Sequence, residues 1–272
     1  MSTERDPART ATIARTIASW RGLGWELLRE ESLSPTLNVA LDEVLTRRVG
    51  AGERPPTLRF WAWAAPAVIL GRFQSVRNEV NQDEAAARGV ALVRRMTGGG
   101  AMFVQPDATI TYSLSLPEEA VAGLSFAESY AALDSWVVAT LRDLGVDAWY
   151  APLNDITSAE GKIGGAAQAR RARAVLHHTT IAYQMDTDEM ARILRIGQEK
   201  LSDKGIASAA KRVSPLRRQT DLERAAIVAR LIAGFRERFG LVEGVITPAE
   251  RAAAEVLVRE RYAADAWTFD LP

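Results

Sequence analysis

The residues best suited to chemistry sit in two glycine-rich stretches. The first is Arg94-Arg95-Met96-Thr97-Gly98-Gly99-Gly100-Ala101, which follows the short apolar run Val90-Ala91-Leu92-Val93. Consecutive glycines weaken any strand or helix, and their missing Cβ lets a ligand approach the backbone. A guanidinium is a permanently charged, forked donor for phosphate or carboxylate. Together they describe a loop that holds an anionic, phosphate-bearing ligand against bare backbone. The same eight residues also fit a tight turn between strands with solvated arginines. The second stretch runs from Asn154-Asp155 into Gly161-Lys162-Ile163-Gly164-Gly165-Ala166-Ala167-Gln168. Here a single lysine, a compact point charge, is followed by small residues that leave room beside the backbone. An isolated Gly-Lys pair more commonly marks a surface turn; the continued run of small residues sets this one apart.

Several elements must position these residues. Trp25–Arg29 reads as a strand. Ser34 and Pro35 open a helix as N-cap and first helical residue, with Leu37, Leu41, Val44 and Leu45 on one face. Thr57–Trp63 alternates as a strand, and Ala67–Leu70 is another, closed by Gly71. Asp83–Arg88 is a short helix before the Leu92 strand. Ala108–Leu116 is strand-like, and Ser125–Leu144 is a long helix whose Phe126, Tyr130, Leu133, Val137 and Leu141 are spaced for packing. Ile163–Ala167 and Leu176–Gln184 pair, with Arg170, Arg171 and Arg173 in the turn between them. Helices follow at Met190–Leu194, Asp221–Phe239 and Pro248–Tyr262. Strands first and helices later predict an α+β fold with mixed or antiparallel sheets flanked by helices.

Composition narrows the function classes. The 272 residues carry 34 basic and 34 acidic side chains, so no general field draws in nucleic acid or a membrane surface. There is no cysteine, which removes disulfides, thiolate metal sites and thiol catalysis. Two histidines cannot build a histidine-rich metal site. No apolar run approaches the roughly 20 residues that span a bilayer. Residues 1–22 read as a polar tail with a short helix at Thr12–Trp20, residues 23–272 as one domain whose part from about 186 is helical. A cytoplasmic location is expected.

The string Arg94–Ala101 resembles the signature of the lipoate–protein ligase family, and so does Asn154-Asp155 followed by Gly161–Ala167. Three further segments are similar in the same order: Asn38–Glu43, Pro66–Gln74, and Lys200–Ile206 with Lys211-Arg212-Val213. The resemblance runs from about Trp25 to the C-terminus. It departs at Val104-Gln105, where the family often has His-Asp, and at His177-His178-Thr179-Thr180, where it often has His-His-Gly-Thr. It implies the catalytic-domain fold shared with biotin ligases and class II tRNA synthetases. It also implies an enzyme that uses ATP to turn lipoate or octanoate into an acyl-adenylate, then passes the acyl group to a lysine of a lipoyl carrier domain.

By the same resemblance, Lys162 is the catalytic cation at the carbonyl and α-phosphate. Arg95, with Arg94 beside it, contacts phosphate or carboxylate. Thr97, Gly98, Gly99, Gly100 and Ala101 carry the ligand, and Met102 and Phe103 border the nucleotide. Asn154 and Asp155 hold the adenylate, with Asp155 a ligand for Mg²⁺. Gly165, Ala166 and Ala167 leave room for the substrate, and His178 borders the acyl pocket. The implied partners are carriers such as the E2 subunit of a 2-oxoacid dehydrogenase or the glycine cleavage H protein. The C-terminus resembles that of shorter, archaeal-type ligases, some of which need a separate small subunit. The alternatives are an octanoyl or lipoyl transferase, whose usual cysteine thioester this chain cannot form, and a non-catalytic lipoate- or nucleotide-binding paralogue.

Overall fold

The computed structural model describes residues 7–195 and 213–271. Among them, nine strands form one mixed sheet in the order β12-β1-β3-β7-β11-β10-β9-β8, with β2 added beside β3. These strands are β1 (Glu26–Leu28), β2 (Ser32–Leu33), β3 (Thr57–Trp63), β7 (Thr109–Pro117), β8 (Trp149–Ala151), β9 (Asp155–Ser158), β10 (Gly161–Arg171), β11 (Ala174–Ala182) and β12 (Val242–Glu243). Pairing is antiparallel from β3 through β7, β11, β10 and β9 to β8, and parallel at β12-β1-β3. A second, three-stranded sheet has the order β5-β4-β6, with β4 at Ala67–Leu70, β5 at Ala91–Arg94 and β6 at Met102–Val104. The fold is α+β with mixed sheets flanked by helices, as its sequence pattern predicts.

Long strands alternate their side chains between two faces, and β11 shows both. His177 and Thr179 bond to Asp134 on the Phe126–Asp143 helix, whereas His178 bonds to Asp42 on the Pro35–Gly50 helix. One face thus packs under the Phe126–Asp143 and Arg224–Phe239 helices around Trp136, Phe235, Tyr112 and Leu133. The other packs under the Pro35–Gly50 and Pro248–Leu257 helices around Leu41, Val44, Trp61 and Tyr262. Helix starts follow their caps: Ser34 accepts from the Leu37 amide ahead of Pro35, and Ser125–Glu128 and Thr247–Glu250 form capping boxes.

Three sequence expectations change. Residues 1–22 are not simply a tail, because Pro7–Ser19 is a helix whose Ile13 and Ile17 pack on the core and whose Arg9 pairs with Glu128. Trp20 just beyond it is buried. A four-residue spacing of two isoleucines puts both on one helix face, enough to seat an otherwise polar segment. Arg170 and Arg171 extend β10, so the hairpin turns on Ala172 and Arg173 alone, both with positive φ (51° and 59°). The Pro248–Tyr262 helix ends at Leu257 and continues as a π-helical turn through Tyr262. The Lys200–Ile206 and Lys211-Arg212 motifs lie outside the described residues. No described helix is long and apolar enough to cross a membrane.

Candidate functional site

The two glycine-rich stretches meet on β10. The Lys162 ammonium lies 2.8 Å from the Asp155 carboxylate on neighbouring β9, the lysine partly open to solvent and the aspartate buried. A Cβ on Gly165 would fall 3.0 Å from that ammonium nitrogen and 3.2 Å from its Cε. Glycine at 165 is therefore what lets the lysine lie back along its own strand. Two residues further, Ala167 lies 3.6 Å from where a Cβ on Gly99 would stand. Positions 165 and 167 share a strand face and are roughly 7 Å apart. One face of β10 thus carries the ammonium and abuts the triple-glycine loop. Asn154 fixes the entry to β9: its Nδ2 donates to the Ala166 carbonyl at 2.5 Å, and its own carbonyl accepts from the Ala166 amide at 2.9 Å.

The glycine loop connects β5 to β6 and is held from beneath by Arg95. The Arg95 guanidinium is buried and donates to the carbonyls of Ile69 (2.9 Å), Gly98 (2.6 Å) and Gly100 (2.9 Å) and to the Thr97 hydroxyl (2.8 Å). None of these partners is an anion. Burial lowers its pKa to about 10, still charged at neutral pH. Gly99 has φ of +85°, a left-handed conformation that favours glycine. Gly71 must also be glycine, since a Cβ there would sit 2.0 Å from the Gly99 carbonyl oxygen. Met102 and the buried Phe103 leave the loop along β6.

Thr97 and His178, both expected at the ligand, are buried behind the loop and bonded to each other. Thr97 Oγ1 lies 2.8 Å from His178 Nε2, and His178 Nδ1 lies 3.3 Å from Asp42 Oδ2. Asp42 Oδ1 accepts from Ser113 at 2.7 Å and from Arg59 at 3.1 Å. Burial lowers the His178 pKa, more than Asp42 raises it, so the imidazole is neutral. With Asp42 as acceptor, its proton sits on Nδ1, and Nε2 accepts from the Thr97 hydroxyl.

Arg94, expected beside Arg95 at the ligand, is instead turned away and fully buried. It donates to the carbonyls of Gly71, Arg72, Gln74, Trp267, Thr268 and Leu271. Neighbouring residues of an extended chain point to opposite sides, so the two guanidiniums cannot serve one ligand. Asp155, expected as a Mg²⁺ ligand, is engaged by the Lys162 ammonium. Among the described residues no three His, Asp or Glu side chains converge as a metal site. One carboxylate already carrying an ammonium does not make a resident metal site.

Sequence reasoning missed Asp42, the far end of the chain behind the loop. A signal was present: Asn38, Asp42 and Thr46 recur every four residues and so share one helix face, and all three are buried. It also took Tyr130 as packing. Tyr130 lies near enough to the buried Arg95 for their charges to interact, although burial is the larger influence and raises its pKa. Phe73 of the Pro66–Gln74 segment is 78% exposed, its ring 3.9 Å from where a Cβ on Gly98 would be.

Comparison with known proteins gives consistent relatives. The family described as the lipoyl protein ligase A/B catalytic domain matches residues 34–236. An octanoyltransferase LipM from Exiguobacterium sp. is 31% identical, the match covering 91% of this chain and 99% of that one. The LipM octanoyltransferase of Symbiobacterium thermophilum is also 31% identical, over 89% and 97% of the two chains. Among solved structures, the bipartite lipoate protein ligase of Thermoplasma acidophilum, studied with its E2 lipoyl domain, is 30% identical with a TM-score of 0.77. That likeness covers 92% of this chain and 97% of the other. A lipoate-protein ligase A bound with ATP is 27% identical with a TM-score of 0.78, over 92% and 100% of the chains.

Proposed function

From the premise that this chain belongs to the lipoyl protein ligase A/B catalytic-domain family, we propose that it is an ATP-dependent lipoate–protein ligase. In this reading the carboxylate of lipoate or octanoate attacks the α-phosphorus of ATP. Pyrophosphate leaves and an acyl-adenylate forms. The amine of a carrier lysine then attacks the acyl carbonyl, AMP leaves, and an amide results. Both steps build negative charge on oxygens close to one point. A preorganised cation and backbone donors at that point are the principal stabilisers available.

The observation that carries the proposal is the Lys162 ammonium, aimed by Asp155 and admitted by Gly165 on the strand face that also meets the triple-glycine loop. Lys162 stabilises the charge on the α-phosphate and the acyl oxygen. Gly98, Gly99, Gly100 and Ala101 give the adenylate a bare backbone to lie on. Asn154 and Asp155 hold the opposite wall, with Ala167 beneath the acyl-phosphate junction and Ala166 contributing its backbone, bonded to Asn154. Any Mg²⁺ is taken to arrive with ATP, completed by phosphates and water. The structural neighbour bound with ATP supports a nucleotide, and the T. acidophilum protein with bound lipoic acid, 27% identical with a TM-score of 0.76, supports the acyl group.

The octanoyltransferase relatives favour a second reading, transfer of an octanoyl group between carriers. Transfer through an acyl-thioester enzyme needs a thiol nucleophile. This chain has no cysteine, so ligation is preferred. An ATP–pyrophosphate exchange assay separates the readings. Exchange that depends on lipoate or octanoate is expected from the purified chain; none, with octanoyl transfer from an octanoyl carrier, overturns ligation. Exchange by the single chain also excludes an obligatory accessory subunit. Lys162→Ala is expected to lower exchange and carrier modification by about 10²-fold or more with an unchanged circular dichroism spectrum.

A further inference from the structure

We propose that Arg95, Thr97, His178 and Asp42 are positioning residues that never touch the substrate: they form a buried strut that pulls the glycine-loop carbonyls inward and so turns the Gly99 and Ala101 amides outward as donors to an anionic ligand. The inference rests on the ligase site described above, and it departs from the expectation that Arg95 and His178 meet the ligand directly. The Gly98 and Gly100 carbonyls both point at Arg95 Nη2, at 2.6 and 2.9 Å. In a trans peptide the following N–H points the opposite way. The Gly99 and Ala101 N–H groups are therefore turned to the face of the loop away from Arg95. No acceptor among the described residues meets either of them. Free amides on the outer face of a glycine loop are backbone donors for an anionic ligand.

Charge supports the same arrangement. A buried guanidinium is costly without an anion nearby. Arg59 has Asp42 as its partner, but every bond of Arg95 goes to a neutral oxygen. The missing negative charge is supplied by a ligand oxygen resting on the opposite side of the loop. Aim is then fixed by the strut. Arg95 Nε donates to Thr97, the Thr97 hydroxyl donates to His178, and His178 donates to Asp42, which is anchored by Ser113 and Arg59 on the main sheet. The chain ties the small-sheet loop to β11, the Pro35–Gly50 helix, β7 and β3. Thr97 resembles a nucleophile in a Thr–His–Asp row, but it is fully buried and its oxygen already accepts from Arg95, so it cannot attack a substrate.

The oxygen is either a nucleotide phosphate or the carboxylate of the acyl substrate, and the test separates them. Amide ¹H–¹⁵N spectra of the full chain are recorded with ATP and, separately, with lipoate, alongside calorimetry. The Gly99 and Ala101 resonances are expected to shift most on adding the ligand that carries the bound oxygen. Thr97→Val, which keeps shape and loses the hydroxyl, is expected to weaken that ligand about tenfold, the loss of one or two hydrogen bonds. Thr97→Ser restores affinity, which a purely steric role would not predict. Unshifted Gly99 and Ala101 amides in a wild-type chain that binds ATP and exchanges pyrophosphate overturn the strut and leave the ligase reading standing. Amides that answer lipoate in a chain that does not bind ATP keep the strut and remove the ligase reading. Equal affinities of the wild-type, Val and Ser forms also overturn the proposal; should the Val form misfold, the wild-type spectra alone decide.

Discussion

At the scale of single residues, space matters as much as charge. The role proposed for Lys162 needs its ammonium to lie along β10, and that requires no side chain at 165. Gly165→Ala places a methyl 3.0 Å from the ammonium nitrogen and 3.6 Å from Asp155 Oδ1. The flexible lysine end moves more cheaply than the sheet, so the variant is expected to fold with near-normal thermal stability. Carrier modification should nonetheless fall about tenfold or more, because a misplaced cation forfeits transition-state stabilisation. A steady-state assay set beside a melting curve checks both halves. His178 gives a residue-scale pH effect. Its pKa is held below the ordinary 6.5, first by burial, so the folded state resists protonation. Below pH 6.5 the unfolded chain takes up a proton that the folded chain refuses, so the stability contributed above that pH drains away as pH falls. Melting temperatures from pH 8 to 5 should decline through that window, and His178→Gln should flatten the decline.

At the scale of elements, the C-terminal segment is part of the site's foundation. Arg94 clamps the carbonyls of Trp267, Thr268 and Leu271 onto those of Gly71, Arg72 and Gln74, and Trp267 Nε1 returns a bond to the Arg94 carbonyl at 2.8 Å. Gly71 lies directly under Gly99. A loosened clamp therefore reaches the glycine loop through one backbone contact. Arg94→Met keeps much of the volume but strands several carbonyls, each costing about 1–3 kcal/mol if it stays buried. Faster hydrogen exchange at 265–271 and at the Arg72 amide, which bonds the Thr97 carbonyl of the loop, is the expected outcome, with a lower melting temperature. Faster exchange at 265–271 alone would show that the two are not coupled. The basic hairpin has a simpler account: Arg170 bonds the Leu124 carbonyl and Ser129 and stacks over Phe126, so it pins β10 to the start of the Phe126–Asp143 helix.

At the scale of the whole molecule, the packing of the two sheets with the Pro35–Gly50 helix brings together groups that lie far apart in sequence: Asp42, Arg95 and His178, with Lys162 on the strand next to that of His178. Its relatives divide between octanoyltransferases and lipoate ligases, and the difference between those chemistries is global, since it concerns whether any thiol can carry the acyl group. Intact-mass analysis after incubation with an octanoyl carrier should show no acylated chain, whereas ATP with lipoate should leave lipoyl-AMP bound; a covalent acyl form would revive the transferase reading. Much of this was legible in the sequence. The strand and helix pattern, the capping residues, the two glycine motifs and the lysine between them are local signals, set by periodicity and by the special freedom of glycine. The absence of a thiol is a matter of composition alone. What the sequence could not decide is direction. Arg94 and Arg95 read as a pair, yet one faces the C-terminus and the other the loop, because extended backbone alternates and only packing says which side is which. His178 and Thr97 read as ligand contacts, yet a helical aspartate from 136 residues away in the chain takes the imidazole. The sequence by itself determined the parts and the family; tertiary structure alone decided which of those parts are buried and what each one bonds, because burial and hydrogen-bond closure are settled only when distant segments meet.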